Sequence, residues 1–261
     1  MNLNLNGKIA IVIASSQGLG KAIAAQLVKE GANVMLASRN EAKLMKVREE
    51  LTQLEKGRVS HIVTDITNSE DIKALVQYTI KEFGSIDILV NNAGGPPSGS
   101  LLELDDKAWQ DAFELNLLSY VRMIRCTIPF MQKNGGKIIN IASSSIKQPI
   151  PGLILSNTFR LGIVGLTKTL AEELAASNII VNTVAPGRIA TDRVAKLDLI
   201  KANKLGISQK DIEKQSQANI PLKRYGKPEE FANFVTYLSS DVNSYMTGQS
   251  FLVDGGMVKG I

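Results

Sequence analysis

Short apolar, β-branched runs alternate with longer stretches of helical periodicity along the 261-residue chain. This alternation predicts repeated strand-helix-strand units, which build a parallel sheet. Because parallel crossovers are almost always right-handed, the helices must cover both faces of that sheet. The predicted strands are 8–14, 33–38, 59–64, 86–90, 137–143, 179–184 and 250–253. The pattern therefore predicts an α/β fold with a doubly wound, seven-stranded parallel sheet.

Capping residues mark helix boundaries between the predicted strands. Asn40 is placed to cap the helix after the second strand, and residues 67–70 form a Thr-Asn-Ser-Glu capping box before a helix that ends near Gly84. Pro228 suits the first turn of a helix that reaches about Ser239.

Ligands of doubly wound folds bind beyond the carboxyl ends of the strands. The loops that follow the predicted strands at that edge are 14–20, 91–99, 143–156 and 185–224. We therefore expect the functional site where these four loops converge.

Composition is that of an ordinary soluble globular chain, with 44% hydrophobic and 21% charged residues. Apolar runs such as 9–14 are far shorter than the roughly 18 residues of a membrane helix, and the first residues lack the basic start of a signal peptide. A cytoplasmic location is therefore expected.

The single cysteine, Cys126, forms no internal disulfide, and no Cys/His cluster has metal-ligand spacing. We expect no metal site, and structural roles for Cys126 and His61.

Positive charge is concentrated in one late segment. Residues 188–224 carry nine Lys or Arg against four acidic residues, which accounts for the whole formal charge of +5. A general nucleic-acid surface is therefore not expected.

Residues 192–219 are predicted to form a mobile helical lid, whose second helix starts at Ser208. Three of its apolar side chains are expected to face the site: Val194, Leu197 and Leu205. Its lysines either favour an acidic or carrier-linked substrate or form an ordinary solvated face.

A glycine-rich turn follows the first predicted strand. Glycines let the backbone approach a phosphate, and the N-terminus of the next helix directs N–H groups and partial positive charge at it. The turn consists of Ala14, Ser15, Ser16, Gln17, Gly18, Leu19 and Gly20. A tight strand-to-helix turn without any ligand has the same appearance, so this motif alone leaves both interpretations open.

Further motifs follow this turn in a fixed order. They are Asp65 after the third strand, Asn-Asn-Ala-Gly at 91–94, Asn116 in the next helix, Ser143 ending the fifth strand, Pro-Gly at 186–187, Gly-Gln at 248–249 and Asp-Gly-Gly at 254–256. On these motifs, and over its whole length, the chain resembles the short-chain dehydrogenase/reductase family, and within it the 3-oxoacyl-acyl-carrier-protein reductases. The resemblance implies a Rossmann fold in which residues 1–261 form a single dinucleotide-binding domain.

The resemblance also implies cofactor contacts by position. They are Ala14, Ser16, Gln17, Gly18, Leu19 and Gly20 at the glycine-rich turn, of which the last three face the pyrophosphate; Asp65 and Ile66 at the adenine; Asn91, Ala93 and Gly94 beneath the adenosine ribose; and Pro186, Gly187, Ile189 and Thr191 at the nicotinamide. Asn and Gly also form plain turns, so a structural role for 91–94 stays open. Ile13 and Ala14 stand where the family usually has Thr and Gly, so the turn is expected to lose some conformational freedom.

The end of the second strand bears on cofactor choice. An acidic residue there would accept hydrogen bonds from the ribose hydroxyls of NAD, but this chain has Ser38 and Arg39. Arg39 can bind a 2′-phosphate bidentately, although it can also be a solvated residue at a helix start. We therefore expect NADP(H) to be preferred over NAD(H).

The catalytic helix departs from the family pattern. In the family, a Tyr and a Lys four residues later lie on one helix face, and the Tyr donates a proton to the carbonyl oxygen as hydride arrives. Those positions hold Ser156 and Arg160 here. A Ser hydroxyl is a far weaker acid than a Tyr phenol with its pKa of about 10, and Arg does not release its proton. The spacing is kept, whereas the proton donor is lost.

Other polar residues of the family site are retained. By position, Ser143 would donate a hydrogen bond to the substrate carbonyl, Asn116 would hold a water, and Arg160 would hold the nicotinamide ribose and stabilise an oxyanion. A polar strand end is the other interpretation of Ser143. No tyrosine offers a substitute donor by sequence position, and Lys147 is the nearest titratable alternative. The predicted catalytic residues are thus Ser143, Ser156, Arg160 and Asn116.

These residues leave two functional hypotheses. The first is an NADP(H)-dependent oxidoreductase that acts on a small carbonyl or alcohol with altered proton delivery. The second is a pseudoenzyme that keeps the fold and binds nucleotide without turnover. The retained Ser143, Asn116 and Arg160 favour the first, and the missing Tyr favours the second. The resemblance also implies a homotetramer in which helices 106–132 and 153–175 pack across a two-fold axis.

Overall fold

One parallel sheet of seven strands organises residues 2–260, which the computed structural model describes. The strands are β1 (Ile9–Ile13), β2 (Asn33–Ser38), β3 (Val59–Val63), β4 (Ile88–Asn91), β5 (Gly136–Ile141), β6 (Ile179–Pro186) and β7 (Ser250–Val253). Their order in the sheet is β3-β2-β1-β4-β5-β6-β7. The predicted doubly wound, seven-stranded fold is confirmed, with strand boundaries one or two residues from those predicted.

Helices cover both faces of this sheet. They are α1 (Gly18–Lys29), α2 (Glu41–Thr52), α3 (Ser69–Phe83), α4 (Asp106–Phe113), α5 (Ser119–Met131), α6 (Ile154–Glu173), α7 (Asp192–Leu205), α8 (Gln209–Ala218) and α9 (Pro228–Leu238). Alternate residues of β1 face opposite cores: Ala10 and Val12 pack with α1, α2 and α9, whereas Ile11 and Ile13 pack with α3, α5 and α6. Because both faces of the strand are buried, its sequence is a continuous apolar run.

The helix caps agree with the sequence except at α3. The Asn40 side chain accepts a hydrogen bond from the Lys43 N–H, Gly84 ends α3 with φ 92°, and Pro228 is the first residue of α9, as predicted. The predicted capping box over residues 67–70 is wrong, because Asn68 caps α3 by accepting from the backbone N–H of Glu70 (2.9 Å). The Thr67 hydroxyl instead donates to Asp65 Oδ1 (2.8 Å), so it does not reach the helix.

Candidate active site

The glycine-rich turn lies where the strand order reverses, between the ends of β1 and β4. Ser15 is fully buried and its hydroxyl accepts from the backbone N–H of Ala37 (3.0 Å), which joins the turn to β2. A Cβ at Gly20 would lie 2.3 Å from the carbonyl oxygen of Ala14, so only glycine allows this close packing. Gln17 precedes α1 without a side-chain bond to its first turn. The N–H groups of that helical turn are therefore available to a phosphate.

Ala14 carries the conformational cost predicted for this turn. Its backbone is left-handed, with φ 51°, which is a glycine-favouring conformation. An alanine in this region costs about 1–2 kcal/mol. The turn thus keeps a glycine-like shape without the glycine.

Two cationic side chains lie near the end of β2. Arg39, the residue after this strand, is exposed and makes no ion pair with a carboxylate of residues 2–260. Lys43 of α2 donates to Gln17 Oε1 (2.6 Å), so a second cation lies beside the glycine-rich turn. Burial of the nearby Asp65 carboxyl raises its pKa, but hydrogen bonds from Thr67 and the charge of Arg39 outweigh this and lower the pKa below its usual value. Two cations, Arg39 and Lys43, and one carboxylate, Asp65, therefore lie near the end of β2.

The Asn-Asn-Ala-Gly segment divides between the core and the cleft. Asn91 is 1% exposed, and its side-chain amide donates to Asn140 Oδ1 (2.9 Å). Asn140 in turn donates to Thr167 Oγ1 (3.0 Å), so the Asn91 amide belongs to a polar chain inside the protein. The next residue, Asn92, donates to the carbonyl of Ile13 (3.3 Å) and lines the cleft. The side chain of Asn91, which the family resemblance places at the adenosine ribose, is therefore structural. The neighbouring Asn92 is the residue that is accessible from the cleft.

A cleft of about 380 Å³ opens at this edge of the sheet. Ser143, Ser156 and Arg160 all line it. Ser143 Oγ accepts a hydrogen bond from the Ser145 N–H (3.2 Å), which leaves its own proton free. Ser156 is 8% exposed and its hydroxyl forms no hydrogen bond within residues 2–260. Both hydroxyls can therefore donate to a carbonyl oxygen in the cleft.

Arg160 forms part of the cleft floor and is only 4% exposed. Its Nη1 donates to the Tyr120 hydroxyl (2.8 Å) and to the carbonyl of Ile141 (3.0 Å), and its Nη2 donates to the carbonyl of Ala93 (3.0 Å). The Tyr120 hydroxyl donates its proton to Ile141 (2.8 Å), and burial raises the pKa of this phenol. Tyr120, which sequence analysis did not single out, positions Arg160 and does not supply a proton to the cleft.

Asn116 lies in a break of the long helix predicted over residues 106–132. A π-helical turn, Glu114–Leu118, separates α4 from α5 and contains it. Its side-chain nitrogen donates to the carbonyl of Ala112 (3.2 Å), while its buried Oδ1 has no partner within the described chain. Single π turns recur at functional sites, and a buried oxygen of this kind is ordinarily satisfied by water. The water-holding role of Asn116 stays a prediction, for which this Oδ1 is an available acceptor.

Helices α7 and α8 lie within residues 192–219, the segment for which a mobile lid is predicted. Ser208 caps α8 by accepting from the Asp211 N–H (3.1 Å), as predicted. Val194 and Leu197 line the cleft, as predicted. The prediction for Leu205 is wrong, because it ends α7 about 12 Å beyond Leu197 along the helix and is 55% exposed.

A buried carboxylate joins the lid to the segments that enter and leave it. Asp198 of α7 is 2% exposed and accepts from Arg188 Nη1 (2.5 Å) and from the Tyr225 hydroxyl (2.8 Å). The entering and leaving segments also pair with each other, because Gly226 N donates to the carbonyl of Arg188 (3.0 Å). Asp198 thus neutralises Arg188 at the edge of the cleft.

The cleft brings together more than half of the residues predicted from sequence. Those that line it are Ala14, Gln17, Gly18, Leu19, Ala93, Gly94, Ser143, Ser156, Arg160, Pro186, Gly187, Ile189 and Thr191. Those outside its lining are Ser16, Gly20, Ser38, Arg39, Asp65, Ile66, Asn91 and Asn116. The exposed Lys147 does not line it either. The titratable lining residues that sequence analysis did not assign to the site are Arg188, Asp192 and Arg193.

None of the helices within residues 2–260 has the length and apolarity to cross a membrane. Within the same residues, no group of three or more His, Cys, Asp or Glu side chains is arranged to hold a metal ion.

Comparison with known families agrees with this geometry. The family model described as enoyl-(acyl carrier protein) reductase matches residues 13–258. The chain belongs to the short-chain dehydrogenase/reductase family, as its motifs predicted.

Individual relatives cover nearly the whole chain. It is 38% identical over 256 residues to dehydrogenase/reductase SDR family member 4 of Caenorhabditis elegans, covering 96% of this chain and 95% of that protein. It is 35% identical over 257 residues to the 3-oxoacyl-[acyl-carrier-protein] reductase FabG of Thermotoga maritima, covering 98% and 100%. The structure of L-sorbose reductase from Gluconobacter frateurii, complexed with NADPH and L-sorbose, matches with a TM-score of 0.95 at 34% identity over 100% of both chains. By sequence similarity and fold, the protein is an oxidoreductase of this family.

Proposed function

We propose that the protein is an NADP(H)-dependent reductase of a small carbonyl compound. The observation that carries this proposal is the convergence of two free hydroxyls, Ser143 and Ser156, with the buried Arg160 guanidinium beside the glycine-rich turn. The NADPH complex of the similar L-sorbose reductase supports the cofactor class. The reverse reaction, oxidation of the alcohol, uses the same groups. The expected location of the protein is the cytoplasm.

The residues present fit a dinucleotide. The tight packing of Gly20 on Ala14 and the uncapped first turn of α1 suit a pyrophosphate. Pro186, Ile189 and Thr191 also line the cleft and would hold the nicotinamide. When bound, the nicotinamide supplies the hydride that reduces the carbonyl carbon.

The chain's own groups stabilise the developing oxyanion rather than protonate it directly. Ser143 and Ser156 would each donate a hydrogen bond to the oxygen, and Arg160 would supply positive charge. The titratable residues lining the cleft within residues 2–260 are Arg160, Arg188, Asp192 and Arg193, and no phenol or imidazole is among them. The proton therefore comes from water, for which Asn116 Oδ1 is an acceptor. Because a positioned acid typically contributes about 10²- to 10⁴-fold, turnover will be slow for this family.

The proposal is tested by measuring NADPH consumption with a panel of carbonyl compounds, and product formation by mass spectrometry. The panel contains neutral ketones, 3-oxoacyl thioesters and oxo acids. We expect slow, stoichiometric reduction that falls further in Ser143→Ala. Tight NADPH binding without turnover on any member would favour the pseudoenzyme.

Reduction of a conjugated double bond is a second candidate. It is favoured by the lack of a phenol or imidazole in the cleft lining within residues 2–260, because hydride addition to the double bond gives an enolate, which is less basic than the alkoxide formed from a ketone and depends less on a proton donor. The matched family model, described as an enoyl reductase, is consistent with it. Adding enones and enoyl thioesters to the panel separates the two reactions by their products.

We further propose a homotetramer built on α4, α5 and α6. Phe113 and Leu161 are 39% and 54% exposed, and Trp109 and Phe113 pack on Phe159 with ring centroids 5.8 and 6.0 Å apart. Such an apolar aromatic face favours burial against a second copy. Light scattering should give four times the chain mass of 28.2 kDa, and a monomer mass would contradict the proposal.

A further inference from the structure

Arg193 crosses the cleft from the lid to the loop after β4. It is the second residue of α7, and its Nη2 donates to the carbonyl of Pro96 (2.7 Å). Its guanidinium occupies the space that a side chain at Gly95 would need: a Cβ there would lie 2.8 Å from Nη2 and 3.0 Å from Nε. Gly95 therefore provides the room in which this cation sits.

Arg160 reaches the same short loop from the opposite side. It bonds to the carbonyl of Ala93, while Arg193 bonds to that of Pro96. Both guanidinium groups line the cleft, so two cations carried by α6 and α7 meet at one four-residue segment beside Ser156.

Neither cation has a counter-ion within residues 2–260. Arg188, the third arginine of the cleft, pairs with Asp198, but no carboxylate lies within 4 Å of Arg160 or Arg193. Burial and the neighbouring charge of Arg160 lower the pKa of Arg193. Arg193 also lies in the first turn of α7, where the helix dipole disfavours a positive charge. Apart from the hydrogen bond to Pro96, burial, the charge of Arg160 and the helix dipole all disfavour the Arg193 cation, and a bound anion would offset them.

We propose that Arg193 and Arg160 bind a carboxylate of the substrate, and that the substrate is an oxo acid whose carboxylate lies close to the reacting carbonyl. The proposal rests on the proposed reductase function and names its substrate class. Planar guanidinium groups match a carboxylate bidentately. The remaining wall is largely apolar, with Ile150, Leu153 and Met257, which suits an acid with an apolar body.

A phosphate of the cofactor is the other anion that could meet Arg193. The phosphates of the cofactor are expected to bind at the uncapped start of α1 and at Arg39. Arg193 instead extends to Gly95 and Pro96, in the loop that Arg160 also contacts through Ala93. The position favours the substrate, and the experiment separates the two ligands.

The test compares each acid with its methyl ester under saturating NADPH. The pairs are acetoacetate with methyl acetoacetate and benzoylformate with methyl benzoylformate. We expect the parent to prefer the acid in kcat/KM, and Arg193→Met to lower the ratio of acid to ester by about 10- to 100-fold. Arg193→Lys should keep part of the preference. Lys196→Met removes an exposed charge from the same helix and should leave the ratio unchanged.

A second variant and a binding measurement keep the proposal testable without turnover. Gly95→Ala keeps both charges but displaces Arg193, so it should lower the same ratio. Calorimetric titration of benzoate into the NADP⁺-saturated protein should show binding in the parent that Arg193→Met weakens about 10-fold or more.

The outcomes separate the failure of each proposal. Benzoate binding that depends on Arg193, with no ketone reduced, would remove the reductase function and leave the anion site. Absence of both acid preference and benzoate binding would overturn the anion site. A loss of NADPH affinity in Arg193→Met that is as large as the loss of kcat/KM for the acids would also overturn it, because Arg193 would then be a cofactor ligand.

Discussion

Replacing Arg160 by alanine should lower kcat/KM by about 10²- to 10³-fold and weaken NADPH binding at the same time. The guanidinium is the positive charge closest to Ser156 on the catalytic helix, and removing one donor to a developing oxyanion has an effect of this size. The loss also removes one donor each from the Tyr120 hydroxyl and from the carbonyls of Ile141 and Ala93. Steady-state kinetics and NADPH fluorescence titration measure both effects, with circular dichroism to verify folding.

Matched variants separate charge, position and proton donation. Ser156→Ala should lower the rate less than Arg160→Ala, because it removes one neutral hydrogen-bond donor and keeps the positive charge. Tyr120→Phe keeps the Arg160 charge but removes one of its partners, and an intermediate loss is expected. Ser156→Tyr combined with Arg160→Lys restores the family pair and should raise turnover of simple ketones. A large loss in Ser156→Ala with unchanged NADPH affinity would identify Ser156 as the proton donor and contradict our assignment.

Arg39→Ala should abolish most of a preference for NADPH over NADH that we expect to be 10- to 100-fold. A charge-assisted hydrogen bond of about 1.5–3 kcal/mol to the 2′-phosphate accounts for a ratio of this size. Dissociation constants for both nucleotides, measured by fluorescence, give the ratio directly. The NADH affinity should change little, since that nucleotide has no phosphate at this position.

Two controls locate the effect. Lys56→Ala removes an exposed charge in the loop before β3 and should leave the ratio as in the parent. Lys43→Ala tests the second cation beside Gln17, where a smaller reduction of the preference is expected. Equal affinities of the parent for the two nucleotides would refute the proposed cofactor.

Local pattern predicted the sheet well because its inner strands are largely buried on both faces and appear as apolar runs between turn residues. The same local rules located Asn40, Gly84 and Pro228 at their helix ends. They failed where two local partners competed: Thr67 had the sequence of a cap, but Asp65 lies nearer to its hydroxyl. Helical periodicity likewise could not show the π turn at Glu114–Leu118, which changes the register within an otherwise continuous helix.

Within the site, motif order placed the glycine-rich turn, Ser143, Ser156 and Arg160 around one cleft. It could not show what long side chains do once there. Tyr120 meets Arg160 across forty residues of sequence, and Arg193 meets Pro96 across nearly a hundred. Such pairs leave no periodic trace, and only the tertiary fold brings them together.

The three partners of Arg160 also bear on how this active site can evolve. They come from separate elements: Tyr120 from α5, Ile141 from the end of β5, and Ala93 from the loop after β4. A mutation of Arg160 to lysine replaces a planar fork with a single compact nitrogen, which does not match the spread of these three acceptors. We expect Arg160→Lys alone to be less stable than the parent. The order of substitutions would then matter for any change between the Ser and Arg pair and the family's Tyr and Lys pair.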